Sequence, residues 1–181
     1  MAKGKKKKVN PLRRPATAAD IAKAKADAFD EAVSYNWSIF FTVMMDKEGV
    51  SNETLNMVWN DVDVIADMLG ETQSQIVDLF HELEADGVDL GDQRRKVFRR
   101  KGHLDVSSVH AAKKQAKSEA ILYTWVLFFT AVKRRLGYGK PELSRIWQEI
   151  KYLEDSIEQG YVNVKDLMDT LEEENGITLV D

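Results

Sequence analysis

The chain has 181 residues, enough for one large domain or for two small ones of about 80 residues each. Its apolar content of 44% is that of a soluble protein with a hydrophobic core. The lack of cysteine excludes disulfides, thiolate zinc sites and thiol nucleophiles. No apolar segment follows the basic N-terminus, and no apolar run is long enough to span a bilayer. We therefore expect a cytoplasmic protein that does not enter membranes.

Charge is strongly separated along the chain, although the net charge is only −4. Residues 1–14 carry +7 and residues 93–141 carry +11. Residues 46–92 carry −12 and residues 142–181 carry −8. Blocks of one sign create local fields that select binding partners rather than folds. The charge pattern therefore predicts a protein whose function depends on charged partners.

The first 15 residues predict a disordered basic arm, because they hold many lysines, two prolines and few residues to bury. Cations of such an arm can bind phosphates, since each neutralised phosphate releases counterions. The alternative is a solubilising tail. The candidate nucleic-acid-binding residues of the arm are Lys5, Lys6, Lys7, Lys8, Arg13 and Arg14.

Three helices are predicted after the arm. The first runs from Thr17 to about Lys47, and its apolar residues recur at spacings of three and four, which places them on one face. Gly49 suits the left-handed turn that follows. Ser51 can cap the second helix, and the third ends at Gly87.

A basic segment with no sustained apolar face interrupts the helical pattern. We interpret it as a linker in which a phenylalanine among cations could stack on a base while the cations hold the backbone. The alternative is a linker that neutralises the acidic face of the preceding helices. Its candidate nucleic-acid-binding residues are Arg94, Arg95, Lys96, Phe98, Arg99, Arg100 and Lys101.

The rest of the chain repeats the same plan. A helix is predicted from about Ser107 to Leu136, Pro141 suits the first turn of the next helix, and Asn163 can cap a last one. Contact between the two long helices would enlarge the core, which is small for about 80 residues alone.

An internal repeat organises the sequence. Residues 35–42 read YNWSIFFT and residues 123–130 read YTWVLFFT, and the same offset of 88 positions aligns Trp59 with Trp147. These matched aromatic residues are predicted to lie in the core. We predict an all-α fold, a duplicated helical bundle of two tandem repeats of a three-helix module with a basic N-terminal arm. The predicted boundaries are residues 1–15 for the arm, 16–90 for module one, 91–106 for the linker and 107–181 for module two.

The sequence indicates no catalytic or cofactor site. Asp61, Asp63 and Asp67 lack the glycine and terminal glutamate of a calcium loop and lie within a helical pattern. No histidine pair has the spacing of a helical metal site, and no glycine-rich loop leads from a strand into a helix. We therefore predict a protein that is not an enzyme and needs no cofactor or metal. The three aspartates are predicted instead to form an acidic face that contacts a partner.

One part of the second module resembles a group of known proteins. Residues 136–143 read LGYGKPEL, residues 160–162 read GYV, and residues 172–177 read EEENGI. This segment resembles small helical proteins of phages and mobile elements of Gram-positive bacteria. Short accessory proteins of such elements include inhibitors of bacterial defence, among them anti-CRISPR proteins against Cas9. The resemblance implies an interaction protein in the bacterial host, and it assigns no role to any single residue.

Three functions remain open at this point. The first is an anti-CRISPR inhibitor of Cas9 with weak, non-specific binding of nucleic acid, in which the acidic block opposes the positively charged channel of the nuclease. The second is a phage DNA-binding accessory protein for replication or packaging. The third is an assembly protein that associates with itself through its opposite charge blocks. The oligomeric state is open in all three.

Overall fold

The computed structural model describes residues 16–69, 73–88 and 108–177. These residues form six α-helices and no strand, which confirms the all-α prediction. The predicted basic arm and the predicted linker lie outside the described residues. The helices are α1 (Ala18–Asp46), α2 (Asn52–Leu69), α3 (Gln73–Ala85), α4 (Val109–Leu136), α5 (Lys140–Glu158) and α6 (Val164–Asn175).

Side-chain caps begin α1, α4 and α6, and those of α1 and α6 lie where the sequence predicts them. Thr17 Oγ1 accepts a hydrogen bond from the backbone N–H of Asp20 (3.2 Å), while the Thr17 N–H donates to Asp20 Oδ2 (2.9 Å). Ser108 caps α4 and Asn163 caps α6 by accepting backbone N–H groups of the first turn. Each cap satisfies a donor that the helix itself leaves without a partner.

A glycine in the left-handed conformation follows each of the two long helices. Gly49 follows α1 with φ 64°, and Gly137 follows α4 with φ 67°. A residue with a Cβ atom is strained in this left-handed conformation, whereas glycine is not. The two glycines lie 88 positions apart, so the offset seen in the sequence also relates the two turns.

The long helices α1 and α4 pack against each other and run in the same direction. Lys25 pairs with Glu119 near their beginnings, and Phe40 stacks on Phe128 near their ends. The residues joined at the two ends are 94 and 88 positions apart in the sequence. Such nearly constant sequence separation is expected for two helices that run in parallel. In the first half of each helix, alanines at every fourth position are buried, and such small side chains let two helices approach closely. These alanines are Ala24, Ala28, Ala32, Ala112, Ala116 and Ala120.

The short helices pack mainly on the long helix of the other half of the chain. Helices α2 and α3 lie against α4, whereas α5 and α6 lie against α1. One hydrophobic cluster therefore contains buried residues from both halves, with Phe40, Trp125 and Phe128 among its largest fully buried side chains. Neither half encloses its own core. The predicted domain boundaries, which fall in or beside undescribed residues, stay a prediction.

Tryptophan pairs tie each second helix to its own long helix. The rings of Trp37 and Trp59 are 4.9 Å apart between centres, and those of Trp125 and Trp147 are 4.3 Å apart, both edge to face. Trp37 and Trp125 are buried, and the other two are half-buried. The prediction that these matched residues belong to the core is confirmed for Trp37 and Trp125, whereas Trp59 and Trp147 pack against the core and remain partly exposed.

Candidate partner-binding surface

The three aspartates predicted to contact a partner all lie on α2, and none of them is fully buried. Asp63 and Asp67 are exposed, and Asp61 is half-buried. Helix α2 covers α4 with the side on which apolar residues recur at helical spacing. The buried residues of α2 are Leu55, Val58, Val62, Ile65 and Leu69.

Asp61 is bound within the protein. The guanidinium of Arg135, in the last turn of α4, donates from Nε to Asp61 Oδ2 (2.6 Å) and from Nη2 to Oδ1 (2.5 Å). This hydrogen-bonded pair raises the pKa of Arg135, and the negative charge of Asp61 raises it further. Two parallel bonds of this kind hold both side chains in one orientation. Asp61 therefore links α2 to α4, and its charge is largely neutralised.

Asp63 and Asp67 are placed differently from Asp61. Neither forms an ion pair with a cation among the residues that the structure describes. Their effect is seen at Tyr123 on α4, where burial raises the pKa of the phenol and the charges of Asp67 and Asp63 raise it further. The outward face of α2 is thus a region of negative potential.

The corresponding face of the second half differs in charge at one of the three aspartate positions. Lys151 on α5 takes the position of Asp63 at the offset of 88. Its Nζ lies 5.2 Å from the ring centre of Trp125 and 4.8 Å from that of Trp147, within the range of a cation–π contact. It also donates to Glu154 at 2.6 Å. Helix α5 therefore keeps carboxylates at the positions of Asp61 and Asp67, as Glu149 and Asp155, and replaces only Asp63 by a cation.

Helix α2 also exposes apolar side chains that were not predicted as surface residues from the sequence. Met57, Val64 and Met68 are 40%, 56% and 69% exposed. Together with Tyr152 and Tyr161 they are the large hydrophobic residues that the described part of the chain exposes most. Their spacing of seven and four, outside the buried face of α2, could have predicted a second apolar row on this helix.

Shallow grooves border this face. One, of about 290 Å³, lies between α2 and the end of α4 and is lined by Asp61, Val64, Ile65, Arg134 and Arg135. A second, of about 240 Å³, continues toward α3 past Met68. The matching region of the other half is one groove of about 440 Å³ between α1, α5 and α6, with Tyr152 and Tyr161 in its lining.

The residues predicted to bind nucleic acid all lie outside the described residues, so their arrangement stays a prediction. On the part of the chain that the structure does describe, no group of three or more His, Cys, Asp or Glu side chains is arranged to hold a metal ion. No helix in the same part is long and apolar enough to cross a membrane.

Comparison with known proteins adds no relative: no family model matches the chain, and no curated protein or solved structure is significantly similar to it. The function must therefore be argued from the surface of α2 and from the charge pattern.

Proposed function

We propose that this chain is an interaction protein of a phage or mobile element, acting in the host cytoplasm to inhibit a bacterial defence nucleoprotein. The most concrete form of the proposal is an anti-CRISPR inhibitor of Cas9 that also binds DNA weakly. The observation that carries it is the outward face of α2, where Asp63 and Asp67 are exposed beside apolar side chains. Such a face attracts cationic protein surfaces, and Cas9-type effectors hold nucleic acid in positively charged channels.

The proposal includes the architecture of two tandem repeats of a three-helix module with a basic N-terminal arm. Its support is that residues 88 positions apart touch each other at the centre of the bundle. Asn36 Nδ2 donates to Thr124 Oγ1 at 2.8 Å, and Phe40 stacks on Phe128. Contacts between equivalent positions are typical of the axis of a two-fold arrangement. Two copies of one fold would leave the surface of each copy free to serve a different purpose.

A phage DNA-binding accessory protein for replication or packaging is the second candidate. It is favoured by the basic blocks, residues 1–14 with +7 and residues 93–141 with +11, whose cations could neutralise phosphates. It leaves the acidic face of α2 without a purpose, because carboxylates repel phosphate. The inhibitor is therefore the better explanation of both signs of charge.

Affinity capture tests the proposal directly. Tagged full-length protein is captured from bacteria with and without Cas9 and its guide RNA, and each sample is divided and treated with nuclease or left untreated. We expect Cas9 to be retained after nuclease treatment and target cleavage by the purified complex to fall when the protein is added. Recovery of nucleic acid alone, lost on nuclease treatment, together with unimpeded cleavage, would favour the DNA-binding candidate.

A further inference from the structure

The exposed apolar residues of α2 form a continuous stripe. Met57, Val64 and Met68 are separated by seven and four positions, so they lie within about 40° of one another around the helix. The stripe is about 16 Å long at 1.5 Å per residue, or three helical turns. A short helix of a partner protein could cover this length by lying along α2. Apolar surfaces of this kind commonly bind the apolar face of an amphipathic helix.

Negative charge surrounds the stripe. Helix α2 contains Glu53, Asp61, Asp63 and Asp67 and no lysine or arginine. Arg135 neutralises Asp61, and the other three carboxylates are on exposed residues. A partner that covers the stripe must therefore place cationic groups beside it, because like charges brought together at an interface cost several kcal/mol.

The fold itself does not require the stripe. The second half builds the corresponding helix, α5, with Leu143, Ile146 and Ile150 buried, at the positions of Leu55, Val58 and Val62. Its outward face differs at every position of the stripe. The residues that replace Met57, Val64 and Met68 are Arg145, Tyr152 and Ser156.

Arg145 is itself bound within the protein, since it donates from Nε to Glu48 Oε1 (2.9 Å) and from Nη2 to Oε2 (2.5 Å). The same helical position is therefore built with an ion pair in one half and with an exposed methionine in the other. The continuous row of three exposed apolar side chains therefore occurs on α2 and not on α5.

The grooves beside the stripe provide room for side chains of an incoming helix. Val64 borders the groove toward α4, and Met68 borders the one toward α3. Ile65 lines both grooves, and Leu79 of α3 lines the second. Apolar side chains of a partner helix could therefore be buried on both sides of Val64 and Met68.

We infer that the outward face of α2 is the docking site for a cationic amphipathic helix of the partner protein. The inference rests on the proposed function and deepens it by naming the surface and the kind of element that binds there. Charge complementarity selects the occupant: nucleic acid would bring phosphates against Asp63 and Asp67. A second copy would bring α2, α3, α5 or α6, in each of which acidic residues outnumber basic ones. The basic helix α4 has its apolar residues buried in the core, so it does not offer an amphipathic face to another copy.

A peptide-binding experiment on the full-length protein tests this inference. The probe is a fluorescently labelled amphipathic helix of leucine and lysine, and the control peptide carries glutamate in place of lysine. We expect the lysine peptide to bind and the glutamate peptide not to bind. In the variant Val64→Gln/Met68→Gln, affinity for the lysine peptide should fall about tenfold, as for loss of apolar anchors at an interface centre.

The exposed tyrosines of the other half supply the matched control. Tyr152→Gln/Tyr161→Gln removes two large side chains that are more exposed than Val64 and Met68, and it should leave peptide affinity unchanged. Thermal unfolding checks that both variants are folded. An equal loss in both variants, or no binding by the wild type, overturns the inference. Self-association that is lost only in the α2 variant also overturns it, in favour of a second copy. If the peptide maps to α2 but Cas9 is neither captured nor inhibited, the docking site stands and the proposed target is wrong.

Discussion

Phe40 and Phe128 stack at the centre of the protein, with ring centres 4.5 Å apart and ring planes 19° apart. They are fully buried and lie 88 positions apart, the offset that relates the two octets. The neighbouring rings follow the same relationship, since Phe40 contacts Trp125 edge to face while Phe128 contacts Trp37. The two long helices therefore meet through equivalent positions.

Truncation of this central pair should destabilise the whole protein. We expect Phe40→Ala and Phe128→Ala each to lower the free energy of unfolding by about 3–5 kcal/mol, because each leaves a cavity in a close-packed core. Trp37→Ala and Trp125→Ala should cost a similar amount. Urea unfolding followed by circular dichroism measures these values. Tyr161→Ala, at an exposed position, is the control and should change stability by less than about 0.5 kcal/mol.

The hydrogen bond between Asn36 and Thr124 should couple the two long helices. Thr124→Val removes the acceptor of the buried Asn36 amide and should cost about 1–3 kcal/mol. Asn36→Ala removes the donor, and Thr124 Oγ1 still donates to the carbonyl of Ala120 (2.9 Å). We expect the double variant to lose about 1 kcal/mol less than the sum of the single variants. Simple additivity in urea unfolding would show that the two side chains do not interact.

The packing of short helices on the opposite long helix predicts how fragments behave. If the chain is divided within residues 89–107, each fragment should expose the apolar faces that the other covers. We expect the two fragments to co-purify as an equimolar complex when expressed together. Expressed alone, each should self-associate or aggregate. Two fragments that remain folded monomers would contradict the shared core.

The negative charge of α2 should be measurable through its effect on the pKa of Tyr123. Burial raises the pKa of its phenol, and the charges of Asp67 and Asp63 raise it further, so the folded state favours the neutral form. The resulting contribution to stability is present below the unfolded pKa of about 10 and is lost as pH rises through the folded value. Asp63→Asn/Asp67→Asn should lower the pKa of Tyr123, as read from an NMR titration.

Tyr35 is an internal control for this titration. It occupies the equivalent position on α1, where burial and the charges of Glu154 and Glu158 raise the pKa of its phenol. The pKa of Tyr35 should not change in the Asp63→Asn/Asp67→Asn variant. A shift of both tyrosines would indicate a general change of structure rather than loss of two charges.

Charge reversal on α2 separates the two proposed functions. Asp63→Lys/Asp67→Lys should slow association with Cas9 and reduce protection of its target if the protein is an inhibitor. If the protein is a DNA-binding accessory protein, the same variant should bind DNA more tightly and show no effect on Cas9. Asp61 is left unchanged, because a lysine there would face Arg135.

Stopped-flow binding and a cleavage assay measure both outcomes, with circular dichroism to confirm that the variant is helical. A folded variant that gains DNA affinity, combined with a wild type that never impedes cleavage, would eliminate the inhibitor proposal.

The sequence by itself determined where the helices lie and which residues they bury. Thr17 and Asn163 cap their helices, Gly49 and Gly137 follow the long ones, and the predicted core aromatics Trp37, Trp125, Phe40 and Phe128 are buried. These features are local, since a cap, a left-handed turn or an apolar stripe depends on residues within one or two turns.

Only the tertiary structure decided which surfaces meet. The amphipathic pattern of α2 identifies the face to be buried but not the helix that covers it, and the structure places that face against α4 of the other half. The same holds for charge: in the sequence Asp61 is equivalent to Asp63 and Asp67. The fold brings Arg135, 74 positions away, against Asp61 alone and leaves the other two carboxylates at the surface. Long-range pairing of this kind depends on the path of the whole chain, because an apolar face or a charge does not by itself specify which residues it will contact.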